Sequence, residues 1–330
     1  MPAHRRALVT GALFALAAGL LWGLVFVVPI LLPAYPAALL SSGRYLAFGL
    51  IALPLAWLDR ARLRELSRAD WTEAMKLALV GNLLYYLFLA AAIQHSGGPL
   101  PTVIIGTLPV VIAVTSNLRD ARRDGRLPWA RLAPSLALIA AGVLLVNHAE
   151  LQHLRSTQPV DPGRYALGAA LALGAVACWT WYPLRNADWL RDHAERSPRV
   201  WATAQGVATL PLSAAGLAVV WMVPAGGSGF EMPLGPQPER FVALMLALGL
   251  LASWLGGLCW NEASQRLPTA LAGQLIVFET AAALAYAFML RRSAPPATTL
   301  LGVGLLLAGV IWALRIRPEP LPEARAGVPH

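Results

Sequence analysis

The sequence predicts an all-α polytopic membrane protein: ten transmembrane helices arranged as two inverted five-helix repeats around a central cavity. Three observations predict it. Of the 330 residues, 57% are hydrophobic and only 13% are charged, about half the charged share of a soluble domain and too little to cover a water-facing surface. Ten stretches stay apolar over about 20 residues, the length that crosses roughly 30 Å of hydrocarbon. Finally, the second half of the chain resembles the first.

The ten stretches are approximately 8–30, 38–58, 72–94, 99–118, 130–148, 163–184, 200–223, 241–263, 269–290 and 296–316. The first follows the basic start MPAHRR and could pass for a signal peptide. Its apolar run continues to about Leu32, longer than an h-region, so it is read as a retained span. Spans 3 and 4 are parted by HSGGPLP and spans 8 and 9 by SQRLPT, where Gly or Pro supplies the break. Pro54, Pro109, Pro183 and Pro211 fall within spans and predict kinks. Residues 149–162 and 224–238 read as surface loops. The Pro-rich tail 318–330 is expected to be disordered.

Arginine placement orients the spans. With the N-terminus in the cytoplasm and strict alternation, 20 of the 26 basic residues lie inside, five lie outside, and Arg44 lies within a span. That bias fits a multi-pass inner membrane protein of a bacterium with both termini cytoplasmic. The net charge of +9 does not indicate nucleic acid, because the basic residues sit between apolar blocks and form no stripe. Cys178 and Cys259 both fall inside apolar segments, without metal-ligand spacing or a disulfide framework.

The repeat is carried by three pairs in the same order. Gly11 to Gly23 aligns with Gly168 to Thr180, bringing Trp22 onto Trp179. Ala92-Ile93-Gln94-His95 meets Ala263-Ser264-Gln265-Arg266, and Ala141-Gly142-Val143 meets Ala308-Gly309-Val310. The first repeat is residues 1–150 and the second 151–317. Because five is odd, the second repeat enters the membrane from the opposite side. Two inverted halves enclosing a mid-membrane site are a recurrent architecture of secondary carriers.

An ionisable group within a span costs at least about 2.5–3.5 kcal/mol, so each is a candidate functional residue. Arg44, one to two turns inside the outer end of span 2, can attract a carboxylate or gate the outer mouth; bonding to helix-end carbonyls or snorkelling to the interface is the packing alternative. Glu279 in span 9, with Gln274 five residues earlier, can bind an ammonium or carry a proton, or pack hydrogen-bonded between helices. Glu262, beside Asn261, reads as interfacial. Trp57, Trp71, Trp129 and Trp312 fit an interfacial belt. The aromatics Trp22, Tyr85, Tyr86, Trp179, Trp181, Tyr182 and Trp254 lie within spans. With Asn82 they suggest a cavity walled by rings and amides, suited to a small zwitterion with an apolar side chain.

These features resemble the EamA-type family of the drug/metabolite transporter superfamily. The resemblance rests on Leu21-Trp22-Gly23 in span 1, on Arg44-Tyr45-Leu46-Ala47-Phe48 in span 2, and on Ala90 to His95 followed by Pro101 to Pro109 across spans 3 and 4. The resemblance implies a ten-span bacterial metabolite exporter, similar to the aromatic-amino-acid exporters and working by alternating access. The expected substrates are small zwitterionic or neutral metabolites, most readily amino acids. No cofactor and no metal are expected. A membrane-embedded enzyme acting on a lipid or small metabolite is the alternative from another class, although the chain carries no HExxH, GxSxG or phosphate-cradling glycine loop. Phosphate-bearing solutes would call for several cations in the cavity, and only Arg44 lies in a span.

Overall fold

The computed structural model describes residues 2–96, 101, 104–119, 127–155, 161–222, 230–292, 294–313, 315–316 and 319. Helix starts follow local chemistry. Ser67 accepts from the Asp70 backbone while the Asp70 carboxylate accepts from Ser67, a capping box. The Asp161 side chain caps Gly163, and Pro162 and Pro238 open their helices where a missing N–H is free of cost.

Among the described residues, eight helices are long and apolar enough to span a membrane. They are α1 (Arg6–Leu31), α2 (Ala37–Leu58), α3 (Arg68–Ser96), α5 (Trp129–Val146), α6 (Pro162–Asp192), α7 (Pro198–Met222), α8 (Pro238–Arg266) and α9 (Thr269–Leu290). Two shorter apolar helices, α4 (Leu108–Arg119) and α10 (Ala297–Ala313), fall where the fourth and tenth spans are expected. No strand occurs among the described residues. The outward surface carries large apolar side chains, among them Leu13, Leu50, Leu144, Leu173, Leu300 and Ile311, as lipid contact requires.

Some boundaries and breaks differ from expectation. Helix α6 runs on to Asp192, about two turns past the expected end at 184, because Asn186, Ala187, Trp189 and Leu190 are buried against other helices. Pro109 is not a mid-helix kink. The chain turns at Gly106-Thr107, and Pro109 sits in the first turn of α4, where its lack of an N–H is harmless. Pro134 instead lies inside α5. The tail 318–330, apart from Glu319, lies outside the described residues, as do 156–160 and 224–229 of the expected loops.

Packing pairs helices of one half with helices of the other. Helix α2 packs along α7, α4 against α9 and α5 along α10, while α1 lies on α8 and α9 and α3 lies on α6. Glycines permit the closest approaches. A Cβ at Gly142 would stand 2.6 Å from the Gly302 carbonyl oxygen, and one at Gly19 would stand 2.7 Å from the Phe278 Cβ. The Gly19 contact brings α1 against the backbone of Glu279.

At one end of the bundle, four ion pairs among the described residues tie the first half of the chain to the second. Arg199 donates to both carboxylate oxygens of Asp59 at 3.0 and 2.9 Å. Arg185 pairs with Glu73 at 2.6 Å, Arg119 with Asp188 at 2.9 Å, and Arg196 with Glu65. The opposite end is held by rings and backbone. Tyr35 stacks on Phe241 and meets Phe230 edge-on; its hydroxyl accepts from the Gln237 N–H, and its carbonyl accepts from the Gln94 side chain.

Candidate functional site

Near the middle of α3 and of α8 the helix widens into a π-helical stretch, at Ala78–Leu84 and at Leu248–Leu255. Such stretches disturb the backbone ladder and recur at functional sites. The register that lays Ala92 on Ala263 also lays these two stretches on each other to within one residue. Each brings polar groups to one cavity: Asn82 from α3, Ser253 and the Ala252 carbonyl from α8. A Cβ at Gly81 would stand 2.1 Å from the Tyr182 ring, so only glycine lets α6 close onto the widened turn.

The cavity lies near the midpoints of the helices and is lined by Trp22, Val25, Arg44, Tyr45, Asn82, Tyr85, Trp179, Tyr182, Ala252, Ser253, Gly257 and Glu279. Its walls are rings in contact. Trp179 stacks on Tyr85 at 4.6 Å and on Tyr182 at 5.0 Å, and meets the edge of Trp22 at 5.1 Å. The Trp22 indole donates to the Ala252 carbonyl at 3.0 Å, which fixes its ring. Arg44 donates through Nε to Ser253 Oγ at 3.1 Å, and its guanidinium lies over the Tyr45 and Tyr86 rings at 4.8 and 4.9 Å. Cation–π contact and the Ser253 hydrogen bond thus stand in for part of the water that Arg44 lacks.

Three donors around this space are buried without a hydrogen-bond partner: Arg44 Nη1, the Tyr85 hydroxyl and Trp179 Nε1. A buried unsatisfied donor costs about 1–3 kcal/mol, so their convergence on one cavity marks a place where an acceptor gains affinity. Glu279, 4% exposed, supplies a carboxyl on the same wall set and makes no ion pair with Arg44. A cation and a carboxyl therefore face one small space, divided by aromatic faces. The cavity volume is about 30 Å³, enough for a water and far below the roughly 300–1,000 Å³ of occupied small-molecule sites.

Of the residues expected from sequence, Trp22, Arg44, Asn82, Tyr85, Trp179, Tyr182 and Glu279 come together at the cavity. Three of the ten site candidates do not line it, and neither does Trp181, which is half-buried elsewhere on α6. Tyr86 lies one layer behind, under Arg44, with its hydroxyl 3.4 Å from the Val25 carbonyl. Trp254, adjacent to Ser253 but turned away, donates to Thr203 Oγ1 at 3.4 Å. Gln274 is buried between α9, α5 and α10, where its Oε1 accepts from Ser135 at 2.9 Å. Helix α9 breaks at Ile276, so the spacing from Gln274 to Glu279 is not that of a continuous helix. Glu262 pairs with Arg266 one turn away.

Sequence reasoning missed Val25, Tyr45, Ala252, Ser253 and Gly257 as wall residues. It also missed the buried chain between the cavity and the ion-paired end. Tyr182 donates to Gln205 Oε1 at 3.0 Å; Gln205 and Trp201 both donate to Asn186 Oδ1, at 3.0 and 2.9 Å; Asn186 donates to Asn261 at 2.9 Å. Trp201 stacks on Trp189 at 3.5 Å, and Trp189 donates to Asp70 at 2.8 Å. The one available signal was the polar run Trp201, Thr203 and Gln205 in an apolar span; Asn186 was beyond the expected end of span 6.

The chain is similar over most of its length to known proteins. The model of the EamA-like transporter family matches residues 9–148. The inner membrane protein YtfF of Escherichia coli (strain K12) is 53% identical over 319 residues, covering 96% of this chain and 99% of the relative. A crystal structure 17% identical superposes with a TM-score of 0.70 over 92% of this chain and 96% of its own, a likeness that concerns the fold alone. Apolar helices, an identity of this extent and the family match lead to one conclusion: this chain is a multi-pass inner-membrane protein that belongs to the EamA-like transporter family of the drug/metabolite transporter superfamily.

Proposed function

We propose that the chain is a secondary transporter that exports small zwitterionic or neutral metabolites, amino acids with apolar or aromatic side chains above all, by alternating access. The observation that carries this reading is the mid-helix cavity. Arg44 with its unspent donor is suited to a carboxylate, Glu279 to an ammonium, and the Trp22–Trp179–Tyr85–Tyr182 rings to an apolar side chain. A membrane enzyme would need a catalytic constellation at this depth, and the cavity presents binding groups in its place.

The ten-span, two-repeat reading adds a mechanism. Helix contacts are reciprocal between halves: α1 on α8 mirrors α6 on α3, and α2–α7, α4–α9 and α5–α10 each pair equivalent helices. The two matched π stretches follow the same relation. Exchanging the conformations of two such halves would open first one end and then the other. The arginine-rich, ion-paired end is the cytoplasmic one under the positive-inside rule, with both termini on that side.

Reconstituted liposomes test the function. Flux of a panel of radiolabelled amino acids, with and without a pH gradient, is expected to show saturable movement of tryptophan or phenylalanine. Flux of sugars alone would overturn the amino-acid reading, and no flux of any solute would return the enzyme alternative to the front. Single cysteines placed within 119–128 and 149–162 are expected to react from opposite faces; labelling from one face would dismantle the topology.

A further inference from the structure

A second cavity lies outside the transport pathway, on the outer surface of the seam between α2 and α7. It is an open cleft of about 390 Å³ at the arginine-rich end, floored by Ala56, Leu63, Leu66, Trp71 and Val207 and rimmed by Arg60 and Arg64. The chain builds it from one amphipathic turn. After α2 ends at Leu58, Leu63 and Leu66 turn inward and are buried, while Arg60, Arg62 and Arg64 stay exposed. Arg60 and Arg64 are four residues apart, so on a helical turn they share a face.

The acids beside them are already committed. Asp59 is held by Arg199 and Glu65 by Arg196. Arg60 rests over the Trp57 ring at 4.9 Å and donates to the Trp57 carbonyl at 3.0 Å; among the described residues no carboxylate pairs with Arg60 or Arg64. Above the cleft the α2 surface is apolar, with Leu50, Leu53, Leu58 and Trp57 exposed, Trp57 to 66%. The site thus joins two guanidiniums that no carboxylate neutralises to a greasy floor that continues along the apolar surface of α2.

We infer that this cleft binds one anionic phospholipid, its phosphodiester held by Arg60 and Arg64 and an acyl chain lying over Ala56 and Val207. Guanidiniums grip phosphate through paired N–H donors, and basic pockets between membrane helices select anionic headgroups. A zwitterionic headgroup carries the same phosphodiester but adds an ammonium that the two arginines repel. The lipid would lie against the seam that Arg199 and Asp59 bridge, and would brace the two halves in the conformation seen here. The site does not depend on what the central cavity carries.

Native mass spectrometry of the full chain in detergent, titrated with dioleoylphosphatidylglycerol or dioleoylphosphatidylcholine, tests this. A single preferred phosphatidylglycerol adduct is expected, at least tenfold tighter than phosphatidylcholine. Arg60→Gln with Arg64→Gln should remove that preference, whereas Arg62→Gln, outside the cleft, should keep it. Val207→Trp fills the floor with the charges intact and should also abolish the adduct, so the prediction stands even if the double variant folds poorly. Equal loss in Arg62→Gln would show diffuse charge attraction and overturn the site. Displacement of the lipid by millimolar inorganic phosphate would do the same in favour of a free anion, as would retention of the preference in both cleft variants.

Discussion

Asp59→Asn isolates the work done by one inter-half contact. The Asp59 carboxylate, 9% exposed, receives two hydrogen bonds from Arg199, whose side chain is 47% exposed. Charge-assisted hydrogen bonds to a buried group contribute about 1.5–3 kcal/mol, while solvent around the arginine screens the pair toward the roughly 0–1 kcal/mol of surface bridges. The variant should therefore cost the conformation seen here about 1–2 kcal/mol, a factor of roughly 5 to 30 in population. The two ends of the bundle are held by different chemistry, so the loss falls on one end only. A reporter cysteine at Gly257 reads it out. Gly257 lines the cavity, and a Cβ there meets nothing within 4 Å. The two native cysteines are buried and can be replaced by alanine. A membrane-impermeant maleimide applied at the arginine-rich face should label the Asp59→Asn reporter about five to thirty times faster than its parent, with no rise from the opposite face. An unchanged rate would mean that the pair does not hold that end shut. An equal rise from both faces would mean general loosening in place of a gate.

Three further outcomes follow from the same geometry. Trp179→Ala removes the ring that touches Trp22, Tyr85 and Tyr182 at once; transport should fall more than about tenfold, the worth of roughly 1.4 kcal/mol, while membrane insertion is unchanged, and near-normal flux would remove the ring stack from the site. Glu279→Gln keeps the shape but deletes the only carboxyl lining the cavity among the described residues; any pH dependence of flux should flatten, and an identical profile would relegate Glu279 to packing. Gly19→Leu drives a side chain into the Glu279 backbone, and overpacking of this kind costs about 1–3 kcal/mol; a lower melting temperature in detergent checks it, and an unaltered one would show that α1 does not pack as described.

The membrane class was legible because lipid imposes a coarse constraint. A span must be apolar over its length whatever it packs against, so composition alone revealed α1 to α3 and α5 to α9. Trp22 and Trp179 were legible as candidates because they are aromatic rings well inside apolar spans, away from the ends where an interfacial belt would place them. Contacts between segments far apart in the chain were not. Asn186 reads as loop by hydropathy, yet it accepts from both Trp201 and Gln205. Ser253 reads as an ordinary small residue until Arg44, more than two hundred positions earlier, reaches it.

What the sequence determined by itself was the solvent of this protein and the list of its unusual groups: an arginine, a glutamate and a set of rings where only aliphatic side chains were needed. Their chemistry is local, and each carries a desolvation cost that marks it wherever it sits. Tertiary structure decided which of them meet. Two π stretches and the close contact at Gly19 turn seven of the ten candidates to one cavity, while a break at Ile276 separates Gln274 from Glu279. Facing is set by a few tens of degrees of helix rotation, and rotation is fixed by packing between halves, which no single helix encodes.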